Sequence, residues 1–254
     1  MKACEPGWAK DAPTLLTGYG NGGFAASHAK PEAQAFFANG LELHAAFAHR
    51  AAVAAMTEAV RLDPACAMCK WGLALTDGPT INYGKDAAER AKLLVTARQA
   101  QSGARSGGSD KERALTAALV LRYAPGKDTA RADDAYATAM QAVAAQFPDD
   151  NEIGVLAADA LMVSAFADEG RDYDHAAIEA SIVLLERVLK RAPDHTPAIH
   201  FYIHATEVIG KPELAEAYAD RLPLLAPRAS HLVHMPSHTW YWVGRYEDAA
   251  QTNR

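Results

Sequence analysis

Six of the ten histidines of this chain lie between residues 195 and 238. His200, His204 and Glu207 follow one another at spacings of four and three residues, so their side chains share one face of a helix. Neutral imidazole binds zinc, copper, nickel or iron, and three imidazoles with an optional carboxylate suffice as ligands. The spacing therefore predicts a transition-metal site.

A second group of histidines follows at His231, His234 and His238. Their spacing of three and four residues also suits one helical face, but Pro236 lies among them. A helix that begins at Ser230 would be kinked by this proline, whereas a helix that begins at Pro236 would leave His231 and His234 in the preceding loop. Either arrangement fits the sequence, and His238 is the firmest ligand of this group.

The two groups of histidines are related by an internal sequence repeat. Shifting the sequence by 34 residues places His200 on His234, His204 on His238 and Gly210 on Gly244. This period is that of the tetratricopeptide repeat (TPR), a two-helix unit that stacks into a solenoid. Since adjacent repeats place equivalent positions side by side, we expect the two histidine groups to converge on one ion.

The candidate metal set is wider than these two groups. The ligand type favours copper or zinc, and copper is slightly favoured because no thiolate cage is evident and Met235 and aromatic residues lie nearby. His49 joins the set if the superhelix curls back on itself. The predicted ligands are His200, His204, His231, His234, His238, His49 and Glu207.

Two other functions fit the same residues. An open metal position would support an oxidoreductase or hydrolase, with Glu207 or Tyr202 moving protons. Alternatively, the histidines only shape the groove of a metal-free scaffold that binds a peptide or small molecule. Zinc-protease chemistry is excluded, because "HFYIH" lacks the glutamate of H-E-x-x-H. Ser237 lacks the strand-turn-helix context of a nucleophile elbow.

Cys66 and Cys69 form a C-x-x-C motif on a predicted helix. The motif is compatible with a disulfide, a soft-metal pair that includes His44 as a second site, or a haem attachment sequence ending in Lys70. Two small residues packed in the core are the commonest outcome for such cysteines. Three cysteines, counting Cys4, leave the redox compartment open.

The elements that position these residues are predicted to be helices throughout. We expect an all-α, TPR-like α-solenoid of antiparallel helix pairs with about five and a half repeats over residues 31–254, after an extended or loosely ordered arm at 1–30. Asp63-Pro64 is predicted to end a helix. The Ser/Gly run at 101–110 is predicted to be a flexible connection, with Ser109 or Asp110 as the N-cap of the helix that follows. Thr196 is the expected N-cap of the helix that carries His200. The last repeat stops partway, so we expect further chain or self-association to cover its apolar face.

Charge and hydropathy exclude some partners. The net charge is −6, from 25 basic and 31 acidic residues without a basic cluster, so we expect no nucleic-acid partner. No apolar run approaches the roughly 18 residues that span a bilayer. The first ten residues lack the apolar core of a signal peptide. A periplasmic or secreted location with a removed signal and a cytoplasmic location both stay open.

Several longer segments resemble a group of bacterial TPR proteins, among them "FFANGLELHAAFAHRAA", "GPTINYG", "AIHFYIHATE" and "LAPRASHLVHMPSH". The resemblance covers about residue 31 to the end. It implies a helical-repeat fold with a histidine-lined centre, often in exported proteins, and no settled reaction. By matched motif it adds Asn82 and Tyr83 to the histidines and Glu207. His44 and Cys69 depart from the group's pattern.

Overall fold

The computed structural model describes residues 13–126, 128–166 and 173–253, and within these ranges the regular secondary structure is helical, with no strand. The fold is therefore all-α. In chain order the helices are α1 (Pro31–Ala45), α2 (His49–Leu62), α3 (Ala67–Thr76), α4 (Ala87–Gly107), α5 (Asp110–Arg122), α6 (Thr129–Gln146), α7 (Asn151–Phe166), α8 (His175–Arg191), α9 (Thr196–Val208), a 3₁₀ turn (Pro212–Ala215), α10 (Glu216–Ala219), α11 (Leu222–Leu225), α12 (Ser230–His234), α13 (Pro236–Trp242) and α14 (Tyr246–Gln251).

Side-chain caps explain where several helices begin. Ser109 accepts a hydrogen bond from the Glu112 amide, and Glu112 accepts one from the Ser109 amide, which confirms Ser109 as the cap of α5. The prediction for α9 was wrong by one residue. Its N-cap is His195, whose Nδ1 accepts a hydrogen bond from the Ala198 amide at 3.3 Å, and Thr196 is already helical.

Helix α4 corrects the predicted flexible connection at 101–110. The helix continues through the Ser/Gly run as far as Gly107, because Ala100 and Ala104 on the same face are fully buried. A Cβ at Gly103 would lie 2.9 Å from Cβ of Ala67, so the glycine permits close approach of α3 and α4. Packing here outweighs the low helix propensity of glycine and serine.

Each helix from α1 to α9 packs on the next helix in the chain. Contacts between next-but-one helices join α1 to α3, α3 to α5 and α7 to α9. The second helix expected in the fifth repeat is instead broken into the 3₁₀ turn, α10 and α11. Pro223 lies at the start of α11, where it cannot donate a helical hydrogen bond. Helix α1 also contacts α9, so α1 lies beside the helix that carries His200.

Residues 13–30 form no helix and cross several helices. Asn21 exchanges hydrogen bonds with Thr196 at the start of α9, and the Arg228 amide donates to the Gly18 carbonyl oxygen at 3.0 Å. Asn39 on α1 exchanges two bonds with the Leu16 backbone. The segment therefore connects α1 to α9 and to the turn before α12.

Apolar side chains form two large buried clusters, one spanning α1 to α7 and one spanning α7 to α12 and ending at Met235. A buried ion pair joins α4 to α6, with Arg90 Nη2 2.6 Å from Asp133 Oδ2. Among the described helices, none is long and apolar enough to cross a membrane.

Candidate metal centre

Three histidines from two separate helices meet in the interior. His200 and His204 lie one turn apart on α9, and His231 comes from α12. One ring nitrogen from each lies within 4.8 Å of the others. Nε2 of His200 is 2.9 Å from Nε2 of His231 and 3.1 Å from Nε2 of His204. We call these three residues the inner triad.

The ring of His200 is oriented by a backbone carbonyl. Its Nδ1 donates a hydrogen bond to the Ala45 oxygen at 2.7 Å, and a carbonyl oxygen can only accept, so Nδ1 carries the proton. The Nε2 lone pair of neutral His200 therefore points at the other two rings. In a tetrahedral zinc site, Zn–N bonds of about 2.0–2.1 Å place nitrogens about 3.3 Å apart. The contacts of His200 with His231 and with His204 each need to lengthen by only a few tenths of an ångström to reach that separation.

A second pair of histidines lies beside the inner triad. Nε2 of His234 is 3.1 Å from Nε2 of His238, and His238 Nδ1 donates to Glu207 Oε2 at 2.8 Å. His234 Nδ1 contacts Asn253 Oδ1 at 2.5 Å. The ring centres of His204 and His238 are 5.8 Å apart. We call His234 and His238 the outer pair.

Helical geometry continues through Pro236. Met235 has φ −51° and ψ −39°, its amide donates to His231 O, and Pro236 occupies the first position of α13. The proline divides the helix into α12 and α13 without turning the chain away, since His231 and His234 both remain in α12. The arrangement with His231 and His234 in a loop is therefore not the one observed.

The phenyl ring of Phe47 covers the inner triad. It stacks on His231 at a centroid distance of 4.8 Å and meets His200 edge-on at 4.4 Å. Phe47 has φ +55°, which is uncommon for a bulky residue and persists only when its surroundings hold it. This turn between α1 and α2 thus supplies both the Ala45 carbonyl and an apolar cover.

Burial keeps the inner imidazoles neutral. Burial, together with the neighbouring histidines, lowers the pKa of His204 to about 3 and that of His231 to about 4. The pKa of His200 lies well below its ordinary value for the same reasons. Neutral imidazole is the metal-binding form, so at pH 7 an ion would not need to displace protons.

Glu207 stays ionised beside the outer pair. Burial alone would raise its pKa, but hydrogen bonds from His238 and from Trp242 Nε1 lower it below the ordinary value. A carboxylate that accepts from Nδ1 of a histidine fixes the ring and makes Nε2 a stronger ligand. This bond places Glu207 on the Nδ1 side of the His238 ring, so Glu207 orients that histidine and leaves its Nε2 atom to bind an ion.

A surface cavity of about 530 Å³ opens next to the outer pair. The side chains that line it include Glu207, His234, His238, Tyr241, Trp242 and Tyr246. The three aromatic residues are more than half exposed. The cavity therefore gives a ligand direct access to the histidines of the outer pair.

His49 and His44 lie near the cluster without joining the triad. The ring of His49 is 5.0 Å from that of Phe47 and 5.3 Å from that of Tyr83. The Nδ1 atoms of His44 and His49 are buried and have no hydrogen-bond partner among the described residues. Burial lowers the pKa of His44 to about 3. Asn82 is exposed in the loop that carries Tyr83.

Tyr202 does not reach the cluster. Its hydroxyl donates to Glu186 at 3.0 Å, and its ring packs against Tyr218. Position 202 lies two residues from His200, which places it on the opposite face of α9. Of the two predicted proton carriers, only Glu207 is beside the histidines.

The two cysteines form a disulfide, one of the possibilities for their motif. Both are buried in the first apolar cluster, and the Cys66 sulfur accepts a hydrogen bond from the Cys69 amide at the start of α3. The second metal site with His44 is therefore wrong, because disulfide sulfurs offer no thiolate. Cys4 lies outside the described residues. His195 is buried, and its Nε2 lies 2.7 Å from Glu152 Oε1.

Sequence reasoning missed the residues that orient the histidines. Phe47 and the Ala45 carbonyl come from a turn more than 150 positions before the triad, and neither has a recognisable spacing. Trp242 and Asn253 were also missed as partners of Glu207 and His234. No protein-family model matches the sequence, and no curated protein is significantly similar to it. The resemblance to bacterial TPR proteins therefore stays a prediction.

Proposed function

We propose that this protein is a TPR-type helical repeat protein that binds one transition-metal ion in the inner triad. The convergence of three neutral imidazole nitrogens from His200, His204 and His231 carries the proposal. The contacts of α1 with α3, α3 with α5 and α7 with α9 support repeat stacking.

Copper and zinc are the proposed ions, because imidazole suits both. The disulfide of Cys66 and Cys69 leaves these sulfurs unable to act as thiolate ligands, so nitrogen ligands dominate. Three imidazoles leave at least one coordination position for water or another ligand. A full three-histidine set predicts a dissociation constant below about 1 µM, equivalent to about −8 kcal/mol.

Elemental analysis of protein purified without a nickel column tests the proposal. We expect one tightly held ion in the native protein, and its loss in His204→Ala and in the milder His231→Gln. The control is His175→Ala, because His175 is exposed at the start of α8 and distant in sequence from the cluster. Metal-free protein that also binds Cu²⁺ and Zn²⁺ no better than His204→Ala would contradict the proposal and favour a metal-free scaffold.

The second candidate is a metal-dependent enzyme, an oxidoreductase or a hydrolase. The cavity beside Glu207 and the outer pair favours it, because a small molecule has room there next to a carboxylate and imidazoles. An enzyme of this kind needs an open metal position. Azide added to copper-loaded protein should shift the paramagnetic resonance spectrum if that position is accessible, and an unchanged spectrum would argue for metal carriage or a structural ion.

A further inference from the structure

We infer that the outer pair, His234 and His238, forms a second metal site that is separate from the inner triad and open to the aromatic cavity. The inference rests on the proposed function, because it assigns the remaining histidines of the same centre. Its starting point is the contact of two Nε2 atoms at 3.1 Å.

Both Nδ1 atoms of the outer pair face acceptors. His238 Nδ1 faces the carboxylate of Glu207, and His234 Nδ1 faces the side-chain oxygen of Asn253. A nitrogen that donates to these oxygens carries the proton, so the Nε2 atom of each neutral ring has a bare lone pair. Two bare lone pairs 3.1 Å apart repel one another unless a cation lies between or beside them.

The cation is either a proton shared by the two rings or a metal ion. Each ring is held from behind in the way that metal-bound histidines are, by a carboxylate or an amide oxygen. The negative charge of Glu207, itself fixed by Trp242 Nε1 at 3.2 Å, adds attraction for a cation at His238. The separation of the two Nε2 atoms is also close to the roughly 3.3 Å between ligand nitrogens of a tetrahedral zinc ion.

The two sites differ in exposure. His200 is fully buried, and Phe47 covers the inner triad. The side chain of His238 is 30% exposed and, like His234, borders the cavity of about 530 Å³. An ion held by only two protein nitrogens keeps positions for water or an incoming ligand, so the outer site is the one that exchanges ions and contacts small molecules.

Equilibrium dialysis of the metal-free protein against Zn²⁺ tests the inference. We expect two ions per chain in the native protein and in the His175→Ala control, but one in His238→Ala and one in His204→Ala. His234→Gln, at a half-buried position, should reproduce His238→Ala if that variant folds poorly. A chromogenic chelator should remove the outer ion at least about tenfold faster than the inner ion.

The possible failures are distinguishable. One ion that persists in His238→Ala but not in His204→Ala would overturn the outer site and leave the proposed function intact, with a shared proton between the outer rings. One ion lost in both variants would show a single shared site and also overturn the inference. Absence of any bound ion would overturn both proposals.

Discussion

At the scale of single residues, the hydrogen bonds of Glu207 give it a different role from the histidines. The histidines direct Nε2 toward one another, whereas Glu207 accepts from Nδ1 of His238 and from the Trp242 indole. Glu207 therefore orients the His238 ring and places a negative charge beside it. A change at Glu207 should alter affinity at one site only.

We predict that Glu207→Gln weakens Zn²⁺ binding at the outer pair by about 10- to 100-fold. The amide retains the shape of the side chain but removes the negative charge that His238 Nδ1 faces. Calorimetric titration resolves the two affinities, and the inner one should stay unchanged. Glu213→Gln is the matched control, because Glu213 is exposed on the 3₁₀ turn. An equal loss of affinity at both sites would show that Glu207 acts on the fold instead.

The sequence predicted the chemical types and the helical spacing of these residues but could not separate them into two sets. The 34-residue repeat pairs His200 with His234, yet the contact at 2.9 Å is between His200 and His231. The reason is that the repeat predicts which helices are neighbours, while the rotation of α12 and α13 is fixed by packing. The roles of Phe47 and Ala45 could not be predicted, because no sequence pattern marks a backbone carbonyl that orients a histidine or an aromatic ring that covers one.

At the scale of elements, the side-chain cap of α5 was predictable, whereas the cap of α9 was misplaced by one residue and the interrupted helices were not predicted. Ser109 caps α5 as expected, since its hydroxyl has a local partner three residues ahead. The continuation of α4 through glycine and serine depends instead on the contact with α3 at Gly103. A contact between two helices cannot be predicted from the sequence of one of them. Similarly, the break before α11 reflects Pro223 together with the packing of short helices.

Helix α7 carries a buried acid that makes stability depend on pH. The pKa of Asp159 is raised to about 6, because burial and, to a lesser extent, Asp133 on α6 outweigh the opposing effect of Arg122 on α5. His44 and Glu152 line the same small cavity as Asp159. In the unfolded chain the carboxyl titrates near pH 4. The stability that the protonated form contributes is therefore full below about pH 4 and is lost as the pH rises through about 6.

We predict that Asp159→Asn, which cannot ionise, raises the free energy of unfolding by about 3 kcal/mol at pH 7 and by little at pH 4. Urea unfolding at both pH values measures the difference. Asp149→Asn serves as the control, because its side chain is 93% exposed and the same change there should have no comparable effect. An increase that is equal at both pH values would mean that packing, and not ionisation, is responsible.

At the scale of the whole molecule, residues 13–30 join distant helices. Gly20 has φ +134°, and a Cβ there would lie 2.3 Å from Oγ1 of Thr196, the first residue of α9. Side chains rarely adopt this backbone conformation, so the position requires glycine for two independent reasons. Asn21 next to it bonds to the same threonine.

We predict that Gly20→Ala lowers the free energy of unfolding by about 1–3 kcal/mol, because it combines overpacking with backbone strain. Thermal unfolding of metal-free protein is the measurement. Gly84→Ala is the matched control, since a Cβ at Gly84 would meet no atom within 4 Å. Equal stability of the two variants would indicate that the segment is not held against α9.

The bond from His200 Nδ1 to the Ala45 oxygen joins positions 155 residues apart. This separation sets an order of events in time. The inner triad cannot be complete until the ribosome has added His231, and its orienting carbonyl arrives only when α1 has settled on α9. Closing so long a segment is slow compared with forming single helices. If the inner triad binds an ion as proposed, its complete ligand set would therefore form only in the final stage of the protein's maturation, after α1 and α9 have assembled.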